Sequence, residues 1–244
     1  AALGEAHPHT LTSMNNLAGL HQSKGDYAAA EPLYQQALKG RQAALGESHP
    51  ETLASINNLA YLYKDKGDYA AAEPLYKQAL EGYRAALGEC HTETLASTMN
   101  MASLYEAKGD LDVAEPLYRR ALEGYRAALG EAHATTLTAI NNLACLLQSK
   151  GDYAAAEPMY RQALEGRRAA LGEAHPRTLT SINNLAFLYE AKGDHAAAEP
   201  LYKQALEGSR AVLGEAHPDT LHSITCLGAL YKDKGDYAAA EPLL

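Results

Sequence analysis

Residues Pro50 to Gly88 read PETLASINNLAYLYKDK, then Gly67-Asp68, then YAAAEPLYKQALEGYRAALG. Leu53, Ile56, Leu59, Ala60 and Tyr63 follow the i, i+3, i+4 spacing of one helical face, which predicts a first helix, helix A, of about four turns. Gly67 suits the left-handed residue that closes such a helix, and Asp68 can accept hydrogen bonds from the first free amides of the next one. Helix B is then expected to bury Tyr69, Ala72, Tyr76, Ala79, Leu80 and Leu87, with Gly88 just past its end. Ala60 and Ala72 are small where the two helix axes approach, and Tyr76 fills the space beyond them. Pro74 lies inside helix B, where a proline removes a backbone donor and costs about 3 kcal/mol without support, so a kink is predicted there.

Almost everything in this stretch recurs. The leucine of a Leu-Gly-Glu triplet returns at Leu3, Leu45, Leu87, Leu129, Leu171 and Leu213, 42 residues apart each time. The chain is therefore a repeat array, in which each unit buries its apolar face against its sequence neighbours. The expected fold is all-α, a right-handed α-solenoid of antiparallel helix pairs with about six repeats. These span residues 8–49, 50–91, 92–133, 134–175, 176–217 and an incomplete 218–244, in one continuous array. The first residues match a junction between repeats and Glu241-Pro242-Leu243-Leu244 stops partway through a motif, so the sequence reads as a piece of a longer array. A cut end would expose apolar surface and favour self-association.

Leu17, Ala18, Gly25, Tyr27, Ala30, Tyr34 and Ala37, with their equivalents every 42 residues, resemble the tetratricopeptide repeat pattern of two antiparallel helices. HEAT and armadillo repeats share the period, but the Gly-Asp-Tyr turn and the Ala, Tyr, Ala spacing of helix B favour the tetratricopeptide pattern. The Asn-Asn-Leu-Ala, Ala-Glu-Pro-Leu-Tyr and Leu-Gly-Glu-x-His-Pro motifs resemble the repeats of kinesin light chain. Similar repeats form the sensor regions of signalling ATPases of the NB-ARC and STAND type. Repeats three and six depart from the pattern, at Thr98, Met99 and Leu111 and at Thr225 and Cys226.

Composition narrows the function. A net charge of −9 argues against a polyphosphate surface, so nucleic acid is not an expected partner. No run of about 18 apolar residues occurs, and Ala1 to Ala6 lack signal-peptide features, so neither a membrane span nor a targeting signal is expected and the predicted setting is cytoplasmic. Cys90, Cys145 and Cys226 occupy three different repeat positions without CxxC spacing, which reads as free thiols. His7, His49, His91, His133, His175 and His217 share one loop position. Neighbours in that set lie roughly 16 to 20 Å apart across two packed helices, too far to share a metal, so they are read as residues that start helix A. No nucleophile with a paired base and no phosphate loop is present. The chain is read as non-enzymatic, with no cofactor and no metal.

The remaining face of helix A carries Thr12, Asn15, Gly19, Gln22 and Ser23. In tetratricopeptide proteins this stripe lines the concave groove. Its third position varies as Gly19, Tyr61, Ser103, Cys145, Phe187 and Ala229, and its fourth as Gln22, Lys64, Glu106, Gln148, Glu190 and Lys232. Such variation fits a reader of an asymmetric peptide, and it fits neutral drift at solvated positions. Tyr61 and Phe187 are candidate anchors. The resemblance implies that Asn15, Asn57, Asn141 and Asn183 clamp a peptide backbone, while the adjoining Asn16, Asn58, Asn100, Asn142 and Asn184 point towards the neighbouring repeat. The expected function is a protein-interaction scaffold holding an extended or short helical peptide, with Gln22, Lys64, Glu106, Gln148 and Glu190 completing the site. The competing reading is a regulatory, oligomerisation or sensor module of a larger signalling ATPase.

Overall fold

In the computed structural model, which describes Gly4 and residues 7–244, the predicted pairs form in sequence. Helices α1 (Pro8–Ser23) and α2 (Tyr27–Leu45), α3 (Pro50–Asp65) and α4 (Tyr69–Leu87), and α5 (Thr92–Lys108) and α6 (Leu111–Leu129) are followed by α7 (Ala134–Ser149) and α8 (Tyr153–Leu171), α9 (Pro176–Ala191) and α10 (His195–Leu213), and α11 (Pro218–Asp233) with a short α12 (Tyr237–Ala240). Leu3, the first of the Leu-Gly-Glu series, and most of the stretch Ala1 to Ala6, read above as lacking a targeting signal, lie outside the described residues. The pairs fall into two compact units, Ala1–Ala128 and Leu129–Leu244.

Local chemistry sets the helix ends. Each of His7, His49, His91, His133, His175 and His217 accepts through Nδ1 from the backbone N–H two residues on, at 3.1–3.2 Å, and so caps the start of helix A. Gly67 takes φ +78° and Asp68 Oδ1 accepts from Ala71 N at 3.0 Å, which turns α3 into α4. The helices α2, α4, α6, α8 and α10 each run unbroken through their internal proline. In α4 that residue, Pro74, is exposed.

The core lies between pairs as much as within them. Ala18, Ala30 and Tyr34 of the first pair close over Leu59 and Leu62 of the second, and Ala60, Ala72 and Tyr76 of the second close over Met101 and Leu104 of the third. Leu53, Ile56, Leu59, Ala60, Ala72, Tyr76, Ala79 and Leu80 are buried as expected, whereas Tyr63, Tyr69 and Leu87 are only half-buried. Leu62, which the single-stripe reading leaves out, is fully buried, because α3 is covered on one side by α4 and on another by the preceding pair. Burying such a leucine contributes about 1.5–3 kcal/mol.

Glycine sets the closest approach within a pair. A Cβ added at Gly82 in α4 would collide with both δ-methyls of Leu53 in α3, and Gly40, Gly124, Gly166 and Gly208 meet Leu11, Leu95, Leu137 and Leu179 in the same way. At Gly19 in α1 an added Cβ meets only the Tyr34 hydroxyl, at 3.4 Å. Gly82→Ala is therefore expected to lower the melting temperature, since overpacking at about 1–3 kcal/mol outweighs a helix-propensity gain of about 1 kcal/mol. Gly19→Ala keeps the gain without the collision and should raise it. Thermal unfolding of the two variants beside the parent checks both signs.

Candidate functional site

Helix A carries the candidate residues and the rest of each pair fixes their surroundings. Tyr61 and Phe187 stand out into solvent, 46% and 56% exposed, at equivalent positions of α3 and α9. Lys64 Nζ lies 4.6 Å from the centre of the Tyr61 ring and donates to Ser103 Oγ at 3.0 Å. Partial burial pushes the Lys64 ammonium below its usual pKa.

The fourth stripe position is tied to a buried tyrosine of helix B. Tyr34 OH donates to Gln22 Oε1 at 2.9 Å, Tyr118 OH to Glu106 Oε2 at 2.7 Å, Tyr160 OH to Gln148 Oε1 at 2.8 Å and Tyr202 OH to Glu190 Oε2. The second repeat breaks the series, because Lys64 is a donor and cannot accept, and the Tyr76 hydroxyl is buried without a partner. Burial drives the phenol pKa of Tyr34, Tyr76 and Tyr202 upward, so these groups stay neutral donors. Beneath the variation at this position, Gln22, Glu106, Gln148 and Glu190 all keep an acceptor for the tyrosine of their own pair.

The asparagines lie deeper than a free stripe suggests. Asn141 and Asn183 are each 8% exposed. Asn183 Nδ2 donates to Ser223 Oγ of the next pair at 2.8 Å, Asn141 Oδ1 accepts from Asn184 Nδ2 at 2.9 Å, and Asn57 Oδ1 accepts from Ser97 Oγ at 3.5 Å. Asn15 and Asn57 are half-buried, and Asn15 Oδ1 has no partner. The stripe asparagines of α3, α7 and α9 therefore join neighbouring pairs, and Asn184 reaches back to meet one of them.

Two further sets of contacts were not anticipated. Arg41 Nη1 donates to Ser55 Oγ at 2.8 Å and Nη2 to Thr12 Oγ1 at 3.2 Å, and Arg167 repeats this on Ser181 and Thr138. Each arginine is almost fully buried and bolts helix B to two successive helices A. The glutamate of the Ala-Glu-Pro motif forms a second clamp: Tyr63 OH and Lys66 Nζ both donate to Glu31, and Tyr105 with Lys108 to Glu73, Tyr189 with Lys192 to Glu157, and Tyr231 with Lys234 to Glu199. Recurrence of Glu with Tyr and Lys 32 and 35 residues later, at Glu31, Glu73, Glu157 and Glu199, was the available signal, interrupted where Leu147 stands 32 residues after Glu115.

Among the described residues no helix is long and apolar enough to cross a membrane, and no group of three or more His, Cys, Asp or Glu is placed to hold a metal ion. Cys90, Cys145 and Cys226 are free thiols. Successive antiparallel pairs, closed by a Gly-Asp turn and tied one to the next within each unit, define a helical repeat protein. The tetratricopeptide repeat profile matches residues 1–85, 93–169, 150–211 and 177–244, and the chain belongs to the tetratricopeptide repeat family. BtubC (BKLC) from P. vanneervenii superposes with a TM-score of 0.72 at 27% identity, over 91% of this chain and 87% of that one. A putative kinesin light chain from Podospora anserina with nearly identical TPR-like repeats gives 0.68 at 28% identity, over 80% and 92%. The STAND signal-transduction ATPase from Pyrococcus horikoshii, with a tetratricopeptide repeat sensor, shares the fold at 14% identity and a TM-score of 0.72, over 96% of this chain and 34% of that one. No curated protein sequence matches. Repeats of this family generally serve as non-catalytic protein-interaction scaffolds.

The clamp carries a pH dependence. Hydrogen bonds from Lys108, Lys192 and Lys203 are the largest of the influences that hold the carboxyls of Glu73, Glu157 and Glu199 at about 2, below the ordinary 4.5. A carboxylate with a depressed folded-state pKa adds stability that is complete above its unfolded value and is lost as pH falls through the folded one. The melting temperature should fall between pH 4.5 and about 2, and the Glu73→Gln, Glu157→Gln, Glu199→Gln triple variant should show a shallower fall. Thermal scans across that window check it, with added salt weakening the effect because the lysines are solvent-facing.

Proposed function

We propose that the chain is a non-catalytic peptide-binding scaffold, taking an extended or short helical segment of a partner protein along the helix A stripe. One observation carries the reading. The residues that differ most between pairs, Tyr61 and Phe187 among them, project from a face whose framework is held by recurring contacts, so the face can vary without cost to the fold. Exposed aromatics on a rigid support give a large contact area for little lost entropy. Asn15, Asn57, Asn141 and Asn183 supply amide groups along the same stripe, and Gln22, Lys64, Glu106, Gln148 and Glu190 set its local polarity. A sensor or assembly role would instead place the contacts at the edges of the array.

The aromatic positions give the cleaner test, because the asparagines also join pairs. Tyr61→Ala and Phe187→Ala should change stability by no more than about 0.5 kcal/mol, as is usual for exposed positions. Asn183→Ala should cost about 1 kcal/mol through the lost bond to Ser223. Partner capture by the parent and by the double aromatic variant, each shown to unfold at the same temperature, should differ by the loss of a specific partner. Equal capture by both would move the contact to the other faces.

A further inference from the structure

One position near the end of helix B is held by Arg41, Tyr83, Tyr125, Arg167 and Ser209, and it changes together with a residue on helix A of the same pair. Thr12 and Thr138 stand with the arginines, and Ala54 and Ala96 with the tyrosines. The fifth pair breaks this rule, because Thr180 stands with Ser209.

The contacts explain the rule. Arg41 Nη2 donates to Thr12 Oγ1 at 3.2 Å, and Nη1 to Ser55 Oγ at 2.8 Å and to Glu51 O at 3.3 Å. Arg167 does the same with Thr138, Ser181 and Arg177 O. The hydroxyls of Tyr83 and Tyr125 donate instead to the carbonyls of Pro50 and Thr92. The fifth pair thus keeps the surroundings of an arginine without the arginine. Of the acceptors, Ser223 is taken by Asn183 Nδ2 at 2.8 Å, and Thr180 and Asp219 remain. Thr180 Oγ1 donates to Pro176 O at 3.0 Å, as Thr138 Oγ1 does to Ala134 O at 2.9 Å, and its lone pairs are left to accept in the way those of Thr138 do.

Ser209 is too short to reach them, and a space of about 70 Å³ lies beside it, with Thr180, Asn183, Ser209, Asp219 and His222 on its walls and aliphatic side chains closing the rest. That is several times the ~10–15 Å³ that one water needs and well short of the ~300 Å³ of a drug-sized pocket. Thr180, Asp219 and His222 are exposed, so the space is reached from solvent. Asp219 is the one charged residue on its walls. Among the described residues the base at ion-pair distance from Asp219 is His217, 3.9 Å away, and its Nδ1 accepts from Asp219 N and so carries no proton. His222 Nε2 is turned to Cys226 Sγ at 3.6 Å. A carboxylate and a hydroxyl acceptor around a small space without a cation suit a compact planar cation that carries several N–H donors.

We propose that the space beside Ser209 binds the guanidinium ion, free or as the head of a small guanidino compound, with the Asp219 carboxylate and Thr180 Oγ1 as its acceptors. Bound there, it joins α9 to α11 as Arg167 joins α7 to α9, so the ligand supplies a tie that Ser209 does not. The site needs no partner peptide.

The test titrates the full chain with guanidinium chloride in the millimolar range, far below denaturing concentrations and at constant ionic strength, following the backbone amide signals of Thr180, Ser209 and Asp219 by NMR. Saturable shifts at these residues and a raised melting temperature are expected. Urea, the neutral counterpart of the same shape, should bind at least about tenfold more weakly. Ser209→Arg fills the space from within, so it should melt higher than the parent and show no saturable shift at Thr180 or Asp219. Thr180→Val, at an exposed position, should keep the fold and weaken binding, and it serves if Ser209→Arg does not fold. Arg41→Ser opens the same space beside Thr12 and Glu51, and should melt lower, recover part of the loss with guanidinium and add saturable shifts at those two residues. No saturation in the parent, equal binding of urea, or undiminished binding to the Ser209→Arg or Thr180→Val variant would each overturn the site and leave the space to water. Tighter binding of N-acetyl-arginine methylamide than of the free ion would overturn the free-ligand assignment and give the site to an arginine borne on a protein chain.

Discussion

Leu62 is buried by a helix pair to which it does not belong. Its cover is Ala18, Ala30 and Tyr34 of the preceding pair, and Leu104 stands in the same relation to Ala60, Ala72 and Tyr76. A single pair of helices thus leaves its most apolar positions exposed, and only stacking completes the interior. The other contacts serve that stacking. Small alanines and the glycine–leucine approach bring helices close, the buried arginines reach across two helices A, and the Glu–Tyr–Lys clamp ties helix B to the end of the next helix A.

This division of labour explains how one framework can carry different surfaces. The Glu–Tyr–Lys clamp uses positions that repeat with little change, whereas the third stripe position carries few of the bonds that unite pairs, Lys64 to Ser103 being one. Gly19, Tyr61, Ser103, Cys145, Phe187 and Ala229 occupy it in turn while the helices around them stay alike. The fourth position is less free than its variety implies, since Gln22, Glu106, Gln148 and Glu190 all satisfy a buried tyrosine. Lys64 abandons that duty, and the orphaned Tyr76 hydroxyl records the cost.

What could be read from the sequence was whatever depends on residues close together in it. The boundaries of α3 and α4, the Gly67-Asp68 turn and the histidine caps follow from side chains within a few positions of each other. Contacts between pairs were harder to see. Gln22 meets Asp65 across 43 residues and Arg41 meets Ser55 across 14, and in neither case does the local pattern announce the partner. For the same reason the asparagines looked uniformly available on a helical wheel, whereas the following helix in fact closes over Asn141 and Asn183.

The position held by Arg41, Tyr83, Tyr125 and Arg167 is taken in the fifth pair by Ser209. Where the arginines span two helices, this short hydroxyl leaves a void of about 70 Å³ beside Asn183, whose Oδ1 is unpaired, and Asp219 and His222 line the same gap. In a nearly one-dimensional protein, unfolding begins where a neighbour term is weakest. The seam between α10 and α11 therefore lacks the tie across two helices that Arg41 and Arg167 supply elsewhere, and its neighbour contribution to stability is smaller by those hydrogen bonds.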